Sequence, residues 1–311
     1  MRETDEHRQI RATTQRFAED VIRPAAESLD QEERFPTEIY AEMAELGLFG
    51  ITAPEDDGGI GMDALAYAIV MEELSRGYSS VADQCGLVEL IATLLTRHGT
   101  PAQKAEHLGS VLAADKRVAY CITEAEAGTD VSGIKTLAKR DGDGWRLSGS
   151  KIWIHNAPVA ELGFVLARTD PEAGKRGMSI FIVDLAEEGV SRGAKEHKMG
   201  QRASQVGALH FDSVALPGDA LLGEEGRGFH IMMSVLDKGR VGIAALAVGI
   251  AQAALEAVLG YMPVRKQFGQ PIADFQGLQW MLADMAKDIT AARLLTHDAA
   301  ARLESGDGVT M

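Results

Sequence analysis

The sequence has few cysteines and few aromatic residues. Phenylalanine, tryptophan and tyrosine together make up 5% of the chain. Its 311 residues include only two cysteines, Cys85 and Cys121, and they do not have the spacing of a metal-ligand pair. Both lie in apolar segments, which is typical of buried, reduced thiols. We therefore expect neither a disulfide nor a metal site, and we expect a cytoplasmic location.

Positive charge is also scarce, because 46 acidic residues outnumber 31 basic ones and the formal net charge is -15. Such a charge repels phosphate backbones and anionic lipid, which argues against nucleic acid or a membrane surface as a partner. The first twenty residues are rich in both charge signs and lack the apolar segment of a secretory signal. No run of about twenty apolar residues is evident, so we expect no membrane insertion.

What the sequence does have is a hydrophobic content of 46%, enough for a large core, and a hydrophobic period that changes twice along the chain. Residues 1–116 show helical spacing, residues 117–223 show short β-type runs separated by turns, and residues 224–311 return to helical spacing. We therefore predict an α+β fold with three domains, which are an N-terminal helical domain, a middle β domain and a C-terminal helical domain.

Local signals within these domains predict individual boundaries. Gly47 has the position of a helix stop, and Thr100, Pro101 and Gln103 have the pattern of a helix start with a capping box. Pro263 implies a kink or a helix end. A loop is predicted over 54–61, and strands are predicted over 145–147, 151–155, 163–167, 179–183 and 207–211.

Residues 120–133 are the most informative segment, because an apolar β-type run ends there at hydroxyls, carboxylates and small residues. Thr123 and Thr129 can both donate and accept hydrogen bonds, and Gly128 lets a ligand approach the backbone closely. A plain turn between strands would use the same residue types. Taken alone, the segment leaves both interpretations open.

Two further segments carry candidate binding residues. Residues 149–157 place Trp153 and His155 on a predicted strand, although an ordinary core aromatic would also explain Trp153. In residues 265–272, Arg265 supplies a permanently charged, planar guanidinium that suits phosphate oxygens. A lone arginine at a helix end is more often a solvated charge or a partner of the last carbonyls.

Together, in this order, these segments strongly resemble the motifs of the FAD-dependent acyl-CoA dehydrogenases, with Ala125 in place of a usual proline. The resemblance runs along the whole chain and implies the helical, β and helical fold of that family, with FAD as cofactor and an acyl-CoA as substrate. The residues that it implies for FAD binding are Tyr120, Ile122, Thr123, Gly128, Thr129, Trp153, Ile154, His155, Arg265, Gln267, Phe268, Phe275 and Gln276.

The resemblance also implies roles for particular residues. Trp153 would pack against the flavin ring, and position 155 would hydrogen-bond near flavin N5, although the family usually has threonine or serine there instead of His155. Arg265 and Gln267 would hold the FAD of a neighbouring subunit, which implies a homo-oligomer, in the family a homotetramer.

Substrate binding is implied for Thr129, Asp237 and Arg240. A simple helical ion pair would also explain Asp237 and Arg240, which are three residues apart.

The implied reaction is α,β-dehydrogenation, in which a carboxylate removes the α-proton, the β-hydrogen leaves as hydride to the flavin, and an electron-transfer flavoprotein takes the electrons. Most family members carry this base in a Tyr-Glu-Gly-Thr-like segment, which residues 1–311 lack, and others carry it where this chain has Gly239. We therefore expect a C-terminally incomplete member whose base lies beyond Met311. The alternatives are a base-less flavoprotein that binds FAD or acyl-CoA, and a lyase or oxygenase on the same scaffold.

The sequence does not identify the acyl group. In the family, the acyl pocket is lined partly by the helix that corresponds to residues 81–95, and here this segment carries Asp83, Gln84 and Glu89. Because a buried, unpaired carboxylate is costly, we expect the two carboxylates on the outer face of the helix.

Overall fold

The computed structural model describes residues 3–306, and the chain divides into two compact units. The first unit contains the chain up to residue 27, residues 63–83, and the chain from residue 240 onward. The second unit contains residues 28–62 and 84–239.

Helices occupy the two ends of the chain, as the hydrophobic spacing predicts. Wide helical turns at Ala18–Ile22 and Lys104–Leu108 connect α1 to α2 and α6 to α7. The helices are α1 (Asp5–Phe17), α2 (Arg23–Glu32), α3 (Thr37–Glu45), α4 (Ala64–Gly77), α5 (Ser79–His98), α6 (Pro101–Gln103), α7 (Gly109–Leu112), α8 (Gly228–Tyr261) and α9 (Gln276–Ser305).

Strands occupy the middle of the chain, and a small hairpin lies between the last two helices. The strands are β1 (Val118–Cys121), β2 (Leu137–Asp141), β3 (Gly144–His155), β4 (Leu162–Arg168), β5 (Met178–Asp184), β6 (Val190–Arg192), β7 (Val206–Leu216), β8 (Leu221–Leu222), β9 (Lys266–Gln267) and β10 (Gln270–Pro271). The predicted α+β fold class is therefore confirmed.

The second unit is built around one mixed sheet with the strand order β6-β7-β3-β2-β4-β5-β8. β1 pairs with β4 in parallel, and most of the other pairs are antiparallel. One face of the sheet packs around Trp145, whose ring centroid lies 5.1 Å from that of Phe181. This arrangement leaves the ends of β1 and β3 to carry the polar segments described below.

The first unit is a helical assembly in which α4 and α8 approach closely. The hydroxyl of Ser75 donates to the carbonyl oxygen of Leu246 at 2.9 Å. At Gly249 an added Cβ would overlap the Glu72 carbonyl oxygen, and at Gly242 it would overlap the Tyr67 hydroxyl. Glycine is therefore required at both positions because it has no side chain.

The predicted helix boundaries agree with the structure. Thr100 Oγ1 accepts from the Gln103 N–H at 3.2 Å, and Gln103 Oε1 accepts from the Thr100 N–H at 3.0 Å, which is the predicted capping box. α3 ends before Gly47, where φ is +70°, and α8 ends two residues before Pro263.

All five predicted strands lie within observed strands, but the first two belong to one long strand, β3. Its pairing with β7 is irregular between Leu147 and Gly149 and between Lys151 and Ile154. β2, β6, β8 and the β9–β10 hairpin were not predicted. β2 and β6 are largely polar and exposed, and β8, β9 and β10 have two residues each, so none of them shows an apolar period.

Within residues 3–306, α8 is the one helix long and apolar enough to cross a membrane by length and composition alone. This test tolerates charged residues, whereas the expectation concerned an uninterrupted apolar run, and Gln252 and Glu256 interrupt the apolar residues of α8. Core helices of soluble proteins pass the same test, and Glu256 on α8 is ion-paired with Arg76 at 2.8 Å.

Candidate functional site

The loop that follows β1 is held in a tight turn. The N–H of Glu124 donates to the carbonyl of Ala127 at 3.0 Å, and the N–H of Ala127 donates back to Glu124 at 3.1 Å. Thr123 is half-buried at the start of the turn, whereas Gly128 and Thr129 are exposed after it. An added Cβ at Gly128 would meet nothing within 4 Å, so a ligand has room to approach the backbone there.

A buried ion pair holds this loop against β3. The ammonium of Lys151, a fully buried side chain, donates to Glu124 Oε1 and to the Ile122 carbonyl, both at 2.8 Å. Glu124 also accepts from the N–H groups of Lys135 at 2.6 Å and Thr136 at 3.0 Å. The carboxylate is therefore a structural anchor of the loop.

The strand that carries Trp153 is joined directly to the loop. The N–H of Ile152 donates to the Thr123 carbonyl at 3.0 Å, so Trp153 and Thr123 belong to one local structure. Trp153 has a positive φ of 52° and is 66% exposed. It is not a core aromatic, so the alternative that a buried side chain explains this residue is excluded.

Three of the candidate residues have side chains committed to the interior. Tyr120 donates its hydroxyl to the Met232 carbonyl at 2.8 Å, and burial raises the pKa of its phenol. Ile122 and Ile154 have buried side chains. These side chains therefore anchor the loop and the strand to the protein interior.

His155 ends β3 and contacts a residue of α5. Its Nε2 lies 2.9 Å from Nε2 of Gln84 and 2.9 Å from Oγ of Ser204. Gln84 is fully buried and also bonds to the side chain of Asn156. Gln84 was expected on the helix that corresponds to the family's acyl pocket, but its contact with His155 was not predicted.

The remaining FAD candidates lie in the first unit, on the β9–β10 hairpin and at the start of α9. Phe268 and Gly269 both have positive φ and form the two-residue turn of the hairpin. Phe268 is 94% exposed, and its ring lies edge to face with that of Phe275, with the ring centroids 6.2 Å apart. Gln267 and Gln276 are also exposed.

Arg265, which immediately precedes this hairpin, is exposed as well. Among residues 3–306, no carboxylate is paired with its guanidinium.

The two other candidates for substrate binding lie on α8, where Asp237 is half-buried and Arg240 is exposed. Between them, Lys238 is buried and its ammonium lies 2.5 Å from Glu89 Oε1. Glu89 is only 1% exposed, so the expectation that this carboxylate lies on the outer face of α5 was wrong.

The physical reason is that Glu89 is buried but fully partnered. Burial raises the pKa of Glu89. The charge of Lys238 and hydrogen bonds from Lys238 and Thr52 lower it by more than burial raises it, so the net pKa is below the ordinary value. The carboxylate is thus ionised and neutralised by the ammonium.

Three family models match the chain in order. The N-terminal, middle and C-terminal domains of acyl-CoA dehydrogenase match residues 4–115, 119–214 and 226–311. The matched segments cover nearly the whole chain.

Curated relatives agree with these matches. A probable acyl-CoA dehydrogenase, fadE25, of Mycobacterium leprae is 43% identical over 304 residues, which cover 97% of this chain and 78% of the relative. A short-chain specific acyl-CoA dehydrogenase of Clostridium acetobutylicum is 40% identical over 308 residues, which cover 97% of this chain and 80% of the relative.

Solved structures show the same fold. Butyryl-CoA dehydrogenase from Megasphaera elsdenii superposes with a TM-score of 0.95 at 37% identity, covering 99% of this chain and 82% of that one. A chain in a structure described as the electron transferring flavoprotein of Acidaminococcus fermentans gives a TM-score of 0.96 at 38% identity, covering 99% and 81%.

Proposed function

This chain belongs to the acyl-CoA dehydrogenase family, and from that premise we propose that it binds FAD and oxidises a short acyl-CoA thioester to the 2-enoyl-CoA. The observation that carries the proposal is the hydrogen bond between the Ile152 N–H and the Thr123 carbonyl, at 3.0 Å. It joins the polar loop to the strand of Trp153, so two motifs that are distant in sequence form one surface.

The residues on this surface fit a flavin. Trp153 offers an exposed aromatic face, Thr123 and Thr129 offer hydroxyls that can donate or accept, and Gly128 leaves space at the backbone. When bound, FAD would supply the hydride acceptor of the reaction. The exposed guanidinium of Arg265 suits a pyrophosphate.

The chain's own residues hold and shape the site. The Lys151–Glu124 ion pair keeps the turn after Thr123 closed, which fixes where the Thr123 and Thr129 hydroxyls lie. The Trp153 ring is a large apolar surface that excludes water from whatever packs on it. Asp237 and Arg240 remain the candidates for binding the CoA part of the substrate.

A short acyl group is supported by relatives whose names specify short-chain and butyryl substrates. A cationic acyl group is disfavoured, because Glu89 is neutralised by Lys238 and is therefore not available to bind it. A substrate with an uncharged acyl chain suits this part of α5 best.

Electron transfer to an electron-transfer flavoprotein, assembly as a homotetramer and a cytoplasmic location are further parts of the proposal. The exposed Arg265 and Phe268 support self-association, because both would serve a flavin held by a neighbouring copy. The buried, free thiols of Cys85 and Cys121 support a reducing compartment.

The test combines cofactor identification with anaerobic reduction. The purified protein should be yellow and should release FAD rather than FMN on denaturation. Residues 1–311 carry no carboxylate at either of the family's base positions, so the assay uses a chain that includes this base. Anaerobic mixing of that chain with butyryl-, octanoyl- and glutaryl-CoA should bleach the flavin fastest with butyryl-CoA, and an added electron-transfer flavoprotein should restore the colour, whereas residues 1–311 alone should bleach far more slowly. A colourless protein that FAD cannot reconstitute would contradict the proposal, and a yellow protein that no acyl-CoA bleaches would favour a binding protein without dehydrogenase activity.

A further inference from the structure

Gln84, on α5, makes a closed set of hydrogen bonds with the two residues that end and follow β3. Its Nε2 lies 2.9 Å from His155 Nε2 and 3.1 Å from Asn156 Oδ1, and its Oε1 accepts from Asn156 Nδ2 at 2.7 Å. Gln84 and Asn156 are both 1% exposed, so water does not substitute for these partners. A buried amide pair of this kind must satisfy its hydrogens internally.

The Val118 carbonyl determines which way the two amides face. Asn156 Nδ2 lies 3.4 Å from this carbonyl oxygen and donates to it with its second hydrogen. The opposite orientation of Asn156 would bring two acceptor oxygens face to face. Asn156 Oδ1 therefore faces Gln84, and it can only be met by the Gln84 amide nitrogen.

The second hydrogen of Gln84 Nε2 then points to His155 Nε2. An amide nitrogen can donate but cannot accept, so His155 Nε2 must be the acceptor and carry no proton. Ser204 Oγ, 2.9 Å from the same ring nitrogen, can either donate or accept and does not decide the state of the ring. In the neutral imidazole, the proton is consequently on Nδ1.

We propose that Gln84 is a positioning residue that holds His155 as the Nδ1–H tautomer, with Asn156 and Val118 fixing the orientation of its amide. Free histidine prefers the opposite, Nε2–H form, so the protein imposes this state. The consequence for a cofactor rests on the proposed function. A family hydroxyl at position 155 could donate or accept, whereas the neutral His155 ring in this state has its one N–H on Nδ1 and its acceptor nitrogen facing Gln84.

Histidine-selective 15N spectra of the flavin-free protein test the tautomer directly. We would record them near pH 8.5, about two units above the ordinary histidine pKa of about 6.5, where imidazoles are neutral. His155→Gln and His7→Gln identify the two sets of ring signals. The expected result for His155 is a protonated Nδ1 and an unprotonated Nε2.

His7 is an internal control with the opposite tautomer. Its Nδ1 accepts from the Thr4 N–H at 3.1 Å, so its Nε2 carries the proton and donates to Asp63 Oδ1 at 2.8 Å. The His7 signals should report a protonated Nε2 in the wild type and in every variant of Gln84.

Three variants separate the role of Gln84 from general packing. Gln84→Glu replaces the donor by an acceptor, so the proton should move to Nε2 of His155. Gln84→Met keeps the volume but removes the donor, and the tautomer should shift toward the Nε2–H form of free histidine. Ser204→Ala should leave the Nδ1–H state in place. A wild-type His155 protonated at Nε2, or an Nδ1–H state unchanged in Gln84→Met, overturns the proposal.

Adding FAD distinguishes this inference from the proposed function. If both hold, FAD shifts the His155 ring signals and leaves those of His7 unchanged. A protein that does not bind FAD but shows the Nδ1–H state contradicts the proposed function only. A protein that binds FAD with no change at His155 contradicts the link between this histidine and the flavin.

Discussion

The ammonium of Lys151 lies 2.8 Å from a carboxylate oxygen of Glu124, and this buried ion pair connects the turn after β1 to the middle of β3. Candidate FAD-binding residues lie just beyond both positions. Two oppositely charged groups in a buried site are each costly without the other. The geometry of the candidate site therefore depends on residues that need not touch a ligand themselves.

Lys151→Met should lower the free energy of unfolding by about 3–5 kcal/mol, because it leaves Glu124 buried with no opposite charge. Urea unfolding followed by circular dichroism measures the change. Lys139→Met, an exposed lysine on the neighbouring strand β2, is the matched control and should change stability by no more than about 0.5 kcal/mol. Similar losses of unfolding free energy in the two variants would show that the ion pair does not contribute more to stability than an exposed lysine does.

Stability should fall in acid through Glu124. Burial raises the pKa of this carboxyl. The charge of Lys151 and hydrogen bonds from Lys151, Thr136 and Lys135 lower it by more than burial raises it, so the net pKa is depressed. A depressed pKa in the folded state stabilises the protein above the unfolded pKa near 4.5, and this contribution is lost as the pH falls through the folded pKa.

Glu124→Gln should therefore show a shallower loss of unfolding free energy than the wild type as the pH falls below about 4.5. The control is Glu126→Gln in the same loop, whose exposed carboxylate is paired with Lys135. Because salt screens an exposed pair, this control should follow the wild-type profile in 1 M salt. Identical acid profiles for the Glu124 variant and the wild type would contradict the prediction.

The fold was predictable where its signals are local. The Thr100 and Gln103 capping box, the Gly47 stop and the helix end before Pro263 each depend on a few neighbouring residues, and each is found. β2 was not predictable, because its pairing with β3 is decided by the partner strand and not by its own polar sequence.

The candidate site was predictable as motifs but not as contacts. Gln84 and His155 are 71 positions apart, and Glu89 and Lys238 are 149 apart. Glu89 was expected on the outer face because a buried, unpaired carboxylate would be costly. Only the folded chain brings the lysine to it, so polar pairs of this kind are invisible to local pattern.

Arg265→Ala should weaken FAD retention without affecting the fold. A charge-assisted hydrogen bond to phosphate contributes about 1.5–3 kcal/mol, so the Kd for FAD should rise roughly 10- to 100-fold. Fluorescence titration of the apoprotein gives the Kd, and the thermal midpoint reports the fold. Lys266→Ala, an exposed charge next in sequence, is the control and should leave the Kd within about threefold, a difference of roughly 0.6 kcal/mol.

Gly249→Ala should be strongly destabilising, because the added Cβ would overlap the Glu72 carbonyl oxygen and the Ser75 hydroxyl. Overpacking of this kind typically costs about 1–3 kcal/mol. Gly260→Ala on the same helix is the control, since its Cβ would meet nothing within 4 Å. The gain in helix propensity should stabilise that variant by up to about 1 kcal/mol, and opposite signs in thermal unfolding would confirm the close approach of α4 and α8.

The two tryptophans of β3 should separate stability from binding. Trp145 is 2% exposed and packs on Phe181, so Trp145→Ala should cost about 3–5 kcal/mol of unfolding free energy. Trp153 is 66% exposed, so Trp153→Ala should change stability by no more than about 0.5 kcal/mol.

FAD affinity should respond only to the exposed tryptophan. If the Trp153 ring packs on the flavin, Trp153→Ala removes an aromatic contact worth about 0.5–1.5 kcal/mol beyond its buried area, and FAD should dissociate several-fold faster. Quenching of tryptophan emission on FAD binding should also fall in this variant. If the Trp153→Ala protein is stable and retains FAD as well as the wild type does, Trp153 is not part of the flavin site.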